Sequence, residues 1–208
     1  MNQDHLVVKV LTPFSPNILK TEVSLEIVKS LNKQCDEFIE NEEEREKKDC
    51  SHKLLGHTSE ALECDLNGFN EFGHNIYYLT KCLYSEWLAT HDKKNLEKIK
   101  NITRIAIHDA WYVRQFKNEF NPAHHHKNAS NFSCILFLKV PDSISPKKAN
   151  EGYTDFLYGA MNNLTASNYS VCPKVGDMYI FPSFLTHTVY PFYGKGERRS
   201  FSANMSLE

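Results

Sequence analysis

The second half of the chain is a series of short segments rich in aromatic and β-branched residues, separated by Asn, Pro and Gly. Such residues favour β-strands because they fit a pleated surface, and the residues between them favour turns. Several strands at close spacing are typical of a sandwich or barrel rather than of alternating βαβ units. The sequence therefore predicts an antiparallel β core over residues 102–208. Its segments are RIAIHDAWYVRQF, SNFSCILFLKV, GYTDFLYG, ASNYSVCPKVGDMYIFPS, THTVYPFYG and RRSFSANMSL.

The first part of the chain, residues 1–101, has a different pattern. HLVVKVLTPF alternates as a first strand, and TEVSLEIVKSLNKQCDEFIENEEEREKK then carries apolar residues at helical spacing, with Thr21 or Ser24 as its N-cap. NIYYLTKCLYSEWLATHDKKNLEKIK has helical spacing again, after a looser stretch. A chain of 208 residues suits one domain. We therefore expect a largely helical part, integral to the core, that packs on one sheet of the β structure at 102–208.

Composition excludes several classes of protein. The formal net charge of −2 gives no basic field for nucleic-acid binding. No apolar stretch approaches the roughly 20 residues that span a bilayer, so no membrane partner is expected. The six cysteines contain no CxxC pair and are expected to be free thiols, as in a reducing compartment. Because MNQDHLVVKVLTPFSP lacks the layout of a signal peptide, we predict a cytoplasmic location.

Three consecutive histidines precede one of the apolar runs, in FNPAHHHKNASNFSCILFLKV. Side chains alternate along a strand, so His124 and His126 share a face while His125 points the other way. Two imidazoles on one face can bind one metal ion, and His187, in the apolar segment FPSFLTHTVYPF, is the candidate third ligand. The alternatives are a solvated loop for the first two and a hydrogen-bonded core residue for His187.

Arg198 and Ser200 also share a face by the alternation rule, and Arg199 is expected to be exposed. A hairpin in the turn PFYGKGE would bring Arg198 alongside His187. A guanidinium binds a carboxylate through two parallel hydrogen bonds, and a serine hydroxyl can add a third. The pattern therefore predicts a chelating diacid that joins the metal to Arg198.

The order of these residues resembles that of the Fe(II)/2-oxoglutarate-dependent dioxygenases, most closely a branch in which a Trp precedes a His-x-His pair. The matching residues are Trp111, His124, His126, SCILFL from Ser133, GDMYIFPSFLTHTVYP and RRSFSAN. The resemblance covers residues 103–206. The upstream LLGHTSEALE looks like a segment of such proteins from bacteriophages, which would imply the host cytoplasm.

The resemblance implies a double-stranded β-helix, or jelly roll. Fe(II) would be held by His124, His126 and His187, and 2-oxoglutarate would be bound by Arg198 and Ser200. The implied reaction uses O₂ to convert 2-oxoglutarate to succinate, coupled to hydroxylation of a C–H bond in an unknown substrate. A peptidyl prolyl residue is one candidate substrate, by family analogy.

The chain departs from the family at one ligand. The common triad has two histidines and a carboxylate, and His126 stands at the acidic position. Three versions follow: an all-histidine triad, a carboxylate such as Asp155 arriving from elsewhere, or water or chloride in place of the acid. We favour the all-histidine triad because its spacing is right. A neutral imidazole raises the net charge of the site by one unit, which should weaken retention of Fe(II) and strengthen binding of 2-oxoglutarate.

Two other functions stay open. A three-histidine cupin-type metalloenzyme would not use 2-oxoglutarate, so Arg198→Ala would leave its activity intact. A non-catalytic jelly-roll binding module, or a phage structural module, would show no metal-dependent turnover.

Three further expectations concern the substrate and the assembly. Trp111 is expected in the core rather than at the substrate. Substrate specificity is expected in the helical N-terminal half and in the loops 141–152 and 159–169. Paired helices outside a barrel commonly pack against a second copy, which makes a homodimer a further expectation.

Overall fold

The computed structural model describes residues 8–11, 16–127, 130–148, 150–160 and 166–208. The three α-helices of this part of the chain are α1 Leu25–Glu40, α2 Glu42–Lys48 and α3 Asn70–His91. Its strands are β1 Val8–Leu11, β2 Ile18–Glu22, β3 Glu60–Glu63, β4 Ile105–Gln115, β5 Asn121–His124, β6 Phe132–Lys139, β7 Thr154–Leu157, β8 Asn168–Val171, β9 Asp177–Pro182, β10 Thr186–Val189 and β11 Arg198–Leu207.

The strands form two antiparallel sheets. The larger sheet has the order β1-β2-β9-β6-β11-β4-β3, and the smaller has the order β5-β10-β7-β8. A hydrophobic cluster joins their facing sides, with Ile135, Phe137 and Phe181 from the larger sheet against Phe156 and Val171 from the smaller. This arrangement is the predicted double-stranded β-helix, or jelly roll, with flanking helices, and the predicted fold class is confirmed.

The helices cover only the outer face of the larger sheet. Helix α1 begins after Ser24, whose side chain accepts a hydrogen bond from the backbone N–H of Ile27 at 3.4 Å. The buried stripes of α1 and α3 pack against the β11 side chains Phe201, Ala203 and Met205. The expected packing of the N-terminal helices on one sheet is therefore confirmed. In the described part of the chain, no helix has both the length and the apolar character needed to cross a membrane.

The N-terminal part also contributes strands. β1 lies within the segment predicted as a first strand, whereas β2 and β3 were not predicted. β2 pairs with β9, and β3 pairs with β4 at the other side of the same sheet. The strands β1, β2 and β3 thus belong to the same sheet as strands of the β core.

The predicted hairpin between His187 and Arg198 is wrong. β10 pairs with β5 and β7 in the smaller sheet, whereas β11 pairs with β4 and β6 in the larger one. The chain therefore crosses between the sheets after Val189, and Phe192 is fully buried along the way. The physical reason lies in β11, whose outward side chains are apolar and need the cover of the helices.

Candidate active site

A cavity of about 560 Å³ lies between the two sheets. Its lining comes from β4, β6, β9 and β11 on one side and from β5 and β10 on the other, with residues 50–66 at the rim. The volume falls within the usual range of small-molecule sites, about 300–1,000 Å³. All five predicted site residues line this cavity: His124, His126, His187, Arg198 and Ser200.

His124, His126 and His187 come together at the cavity wall. One ring nitrogen of each lies within 4.8 Å of the others. His187 on β10 is directly opposite His124 on β5, and their ring centroids are 4.3 Å apart. His126 lies two residues beyond β5, and its backbone N–H donates to the carbonyl of Ser183 at 2.7 Å. His125 is exposed, as the alternation rule predicts.

Backbone carbonyls determine the tautomer of two of the three rings. His124 Nδ1 lies 2.7 Å from the carbonyl oxygen of Pro122, and His187 Nδ1 lies 3.1 Å from that of Leu185. A carbonyl oxygen only accepts, so in both rings Nδ1 carries the proton and Nε2 keeps a free lone pair. This arrangement is the one usually found around histidines that bind a metal.

Burial keeps the three imidazoles neutral. It lowers the pKa of His187 to about 3 and that of His126 to about 4, and it also lowers the pKa of His124. The neighbouring histidines lower these pKa values further, because a second positive charge would be repelled. At neutral pH all three side chains are therefore in the form that binds metal ions.

No carboxylate joins the three histidines in the described ranges. The reserve ligand Asp155 is opposite Thr188, whereas its neighbour Phe156 is opposite His187. Side chains alternate across a sheet, so Asp155 lies on the face away from the histidines. Its Oδ2 accepts a hydrogen bond from the Tyr190 hydroxyl at 3.2 Å. The donor set fits a borderline transition metal such as Fe(II), for which imidazole is a suitable ligand.

Arg198 is 1% exposed and donates to three uncharged acceptors. Its Nε donates to the Gly152 carbonyl at 3.1 Å, and its Nη2 donates to Thr154 Oγ1 at 2.9 Å. Its Nη1 donates to Gln115 Oε1 at 3.4 Å. In the described part of the chain no carboxylate pairs with this guanidinium, and burial lowers its pKa to about 10.

A guanidinium has five N–H donors, so these three bonds leave two N–H groups of Arg198 for a ligand. A buried cation without a counter-ion is unfavourable unless something compensates its charge. Ser200 lies two residues further along the same face and is 2% exposed. This end of the cavity is therefore suited to an anion with two acceptor oxygens.

Arg199 was expected to be exposed, and that expectation is wrong. It is 1% exposed and lies on the helix side of β11. Its guanidinium pairs with Glu197 at 2.7 Å and with Asp36 of α1 at 2.7 Å. Helix α1 supplies Asp36 to this face, which the local sequence around Arg199 does not reveal, whereas Glu197 is only two residues away in the chain.

Several cavity residues were not predicted to have a role there. Trp111 was expected in the core, but it is half-buried, lines the cavity and lies 5.8 Å from His126 between ring centroids. Gln115 and Thr154, which hold Arg198, had no local signal in the sequence. The N-terminal half does contribute to the rim, through Lys53, Leu54, Leu55 and Thr58. Residue 149 of the loop 141–152 and residues 161–165 of the loop 159–169 lie outside the described residues, and the lining contains no described residue of either loop.

Residues 109–204 match the family model described as "Putative 2OG-Fe(II) oxygenase". All five predicted site residues lie within this range. The resemblance inferred from the sequence is thereby confirmed for the jelly-roll core. No curated protein is similar enough to the chain to count as a match.

Solved structures of the same fold are distant in sequence. A prolyl-4-hydroxylase from Pseudomonas putida is 12% identical, with a TM-score of 0.53, and the alignment covers 96% of this chain and 91% of that one. The epimerase SnoN from nogalamycin biosynthesis is 12% identical, with a TM-score of 0.55 and coverage of 90% and 76%. A 2OG-Fe(II) oxygenase family oxidoreductase from Burkholderia pseudomallei is 17% identical, with a TM-score of 0.39; the alignment covers 57% of this chain and about half, 54%, of that one. For the prolyl-4-hydroxylase and the epimerase, the likeness at 12% identity concerns the fold alone.

Proposed function

We propose that this chain, which carries the sequence pattern of the 2OG-Fe(II) oxygenases over residues 109–204, is an Fe(II)- and 2-oxoglutarate-dependent dioxygenase that hydroxylates a C–H bond. The observation that carries the proposal is Arg198. Its buried guanidinium has no anionic partner in the described residues and shares one cavity with three neutral histidines. The predicted cofactors agree with those in the description of the matched family.

Each predicted site residue has a defined part in this proposal. His124, His126 and His187 would hold Fe(II), through Nε2 in the two rings whose Nδ1 is engaged. Arg198 would bind the distal carboxylate of 2-oxoglutarate through its two remaining N–H groups, and Ser200 would add a hydroxyl. When bound, Fe(II) and 2-oxoglutarate would supply the chemistry that converts 2-oxoglutarate, O₂ and a C–H bond to succinate, CO₂ and a C–OH group.

The cavity wall would keep water away from this chemistry. Ile135, Phe181 and Val189 are buried apolar residues of the lining, from β6, β9 and β10. Phe181 packs on His187 with 5.0 Å between ring centroids. Exclusion of water strengthens the electrostatic interactions of Arg198 and limits side reactions.

A peptidyl prolyl residue stays one candidate substrate. Its support is the fold shared with the Pseudomonas putida prolyl-4-hydroxylase, and a fold does not specify a substrate. The same fold occurs in an epimerase, whose name denotes a different reaction. A cytoplasmic location, a homodimer and a bacteriophage origin also stay predictions.

The two alternatives explain less of the site. A cupin-type enzyme without 2-oxoglutarate needs the three histidines but has no use for a buried Arg198 with two spare N–H groups. A non-catalytic module needs neither the unprotonated Nε2 atoms nor the cation. Both features lie in one cavity, which favours the dioxygenase.

Anaerobic titration with Fe(II) and then 2-oxoglutarate tests the proposal. We expect a weak visible charge-transfer band that is absent in His187→Ala and much weakened in Arg198→Ala, and release of succinate once O₂ is admitted. No band and no succinate would contradict the proposal and favour the binding module. Fe(II)-dependent activity that survives Arg198→Ala would favour the cupin-type enzyme.

A further inference from the structure

Gln115 connects Arg198 to the backbone of two other segments. It is the last residue of β4, is 2% exposed and lies directly opposite Arg198 on β11. Its Nε2 donates to the carbonyls of Glu119 and Tyr190, and its Oε1 accepts from Arg198 Nη1. The NH₂ group of Gln115 is thus fixed by two backbone carbonyls, and its amide oxygen is left facing Arg198.

The orientation of this amide follows from its partners. The two carbonyl oxygens can only accept, so the NH₂ group of Gln115 must face them. The amide oxygen must then face Arg198, which can only donate. A carboxylate at this position would place one oxygen against the carbonyls of Glu119 and Tyr190, so the surroundings require a neutral amide.

Two other arginines on this sheet, in contrast to Arg198, form ion pairs with a carboxylate. On the helix side, Arg199 and Arg114 both pair with Glu197, at 2.7 Å and 2.8 Å. On the cavity side, the chain places the uncharged oxygen of Gln115 beside Arg198. The charge of Arg198 therefore stays available to a ligand.

We infer that Gln115 is a positioning and selectivity residue for the oxo-acid, an inference that rests on the proposed function. It fixes the guanidinium of Arg198 together with Gly152 and Thr154, and it leaves that charge unpaired for the distal carboxylate of 2-oxoglutarate. A carboxylate at position 115 would compete with the ligand for the same cation. The keto-acid end of the ligand, which does not reach Arg198, would be unaffected.

The test uses two ligands that differ only at the distal end, 2-oxoglutarate and 2-oxovalerate. Calorimetric titration of the full-length, Fe(II)-containing protein without O₂ gives the two dissociation constants. Gln115→Glu should weaken the binding of 2-oxoglutarate about a hundredfold or more, because the new carboxylate would pair with the buried guanidinium of Arg198. Gln115→Met should weaken this binding about tenfold, because the hydrogen bond between the Arg198 guanidinium and the amide oxygen is lost. Neither variant should change the affinity for 2-oxovalerate.

Gln34→Met is the matched control. Gln34 also bridges several groups, including Tyr112 and the backbone of Asp65, but its contacts are on the helix side, away from Arg198. This variant should leave both affinities unchanged, with folding checked by thermal melting. If Gln115→Glu does not fold, the affinities of Gln115→Met for the two ligands test the inference.

Two outcomes would overturn the inference. One is an unchanged affinity for 2-oxoglutarate in the Gln115 variants. The other is an equal loss of affinity for 2-oxoglutarate and 2-oxovalerate, as a general distortion of the site would produce. A wild-type protein that does not bind 2-oxoglutarate would instead refute the proposed function. The two failures are therefore distinguishable.

Discussion

Replacing Arg198 with methionine should strongly weaken binding of 2-oxoglutarate and should also lower the stability of the ligand-free protein. Two hydrogen bonds from a charged donor contribute about 3–6 kcal/mol, so affinity should fall roughly a hundredfold to ten-thousandfold. Burial lowers the pKa of Arg198 to about 10, and the shift corresponds to roughly 3 kcal/mol of destabilisation of the folded protein, which methionine removes. The three hydrogen bonds lost with the guanidinium contribute about 1.5–3 kcal/mol each, which is more than the roughly 3 kcal/mol regained, so the ligand-free variant should lose roughly 1 kcal/mol or more of stability.

Thermal unfolding with Fe(II) and no O₂ measures both effects. At 2-oxoglutarate about 100 times above its dissociation constant, the wild type should gain about 2.7 kcal/mol. For a domain of this size that gain raises Tm by about 5–10 °C. Arg198→Met should show no such rise. Arg199→Lys, which alters the neighbouring buried arginine on the other face, should lower Tm but keep the rise. A full rise in Arg198→Met would refute the role given to Arg198.

Three further predictions concern the histidines and the rim. Burial lowers the pKa of His187 to about 3, so the unfolded chain protonates this imidazole more readily than the folded protein does. The contribution of His187 to the free energy of unfolding is therefore fully present above pH 6.5 and is lost as the pH falls towards 3. Urea unfolding of the metal-free protein should show a loss of about 2 kcal/mol from this group between pH 7 and pH 5, and a flat profile would contradict it. His126→Asp should strengthen Fe(II) binding and weaken 2-oxoglutarate binding in calorimetric titrations; the opposite signs would refute the charge reasoning. Gly56→Ala should destabilise the protein by roughly 2 kcal/mol or more. The φ of Gly56 is +124°, and a Cβ there would clash with Pro122 and lie 2.8 Å from the carbonyl oxygen of Phe120. An unchanged melting temperature would contradict this prediction.

The sequence predicts most strands of the β core because the aromatic and β-branched residues that favour a strand lie within each segment. β3 was missed for the opposite reason. Its residues, EALE, favour a helix, and the strand exists because Glu60 to Glu63 pair with Arg114 to Trp111 of β4. β2 is also short, with five residues, and lies next to α1, whose helical pattern dominates that region. In both strands tertiary pairing overrides local propensity.

The site residues differ in the same way: some can be predicted from neighbouring residues in the sequence, and others depend on distant segments. His124 and His126 were placed on one side by alternation, a rule that needs only neighbouring residues. The partners of Arg198 could not be found in this way, because Gln115 and Thr154 lie 83 and 44 residues from it in the chain. The hairpin prediction failed for the same reason, since the choice of sheet for β11 depends on helices far away in the sequence.

In the proposed enzyme, the charge of the cavity would link metal binding to oxo-acid binding. Fe(II) with three neutral imidazoles has a charge of +2, Arg198 adds +1, and 2-oxoglutarate has −2 at neutral pH. One positive charge stays uncompensated, where a carboxylate ligand would have cancelled it. The acid that acts on His126 is Asp109, which is exposed at the rim, and solvent screens its charge. The dianionic oxo-acid would therefore be bound more favourably at this three-histidine site than at a site in which a carboxylate ligand already offsets part of the positive charge. Since coupling between two ligands is reciprocal, Fe(II) should be held weakly alone and firmly once 2-oxoglutarate occupies the cavity.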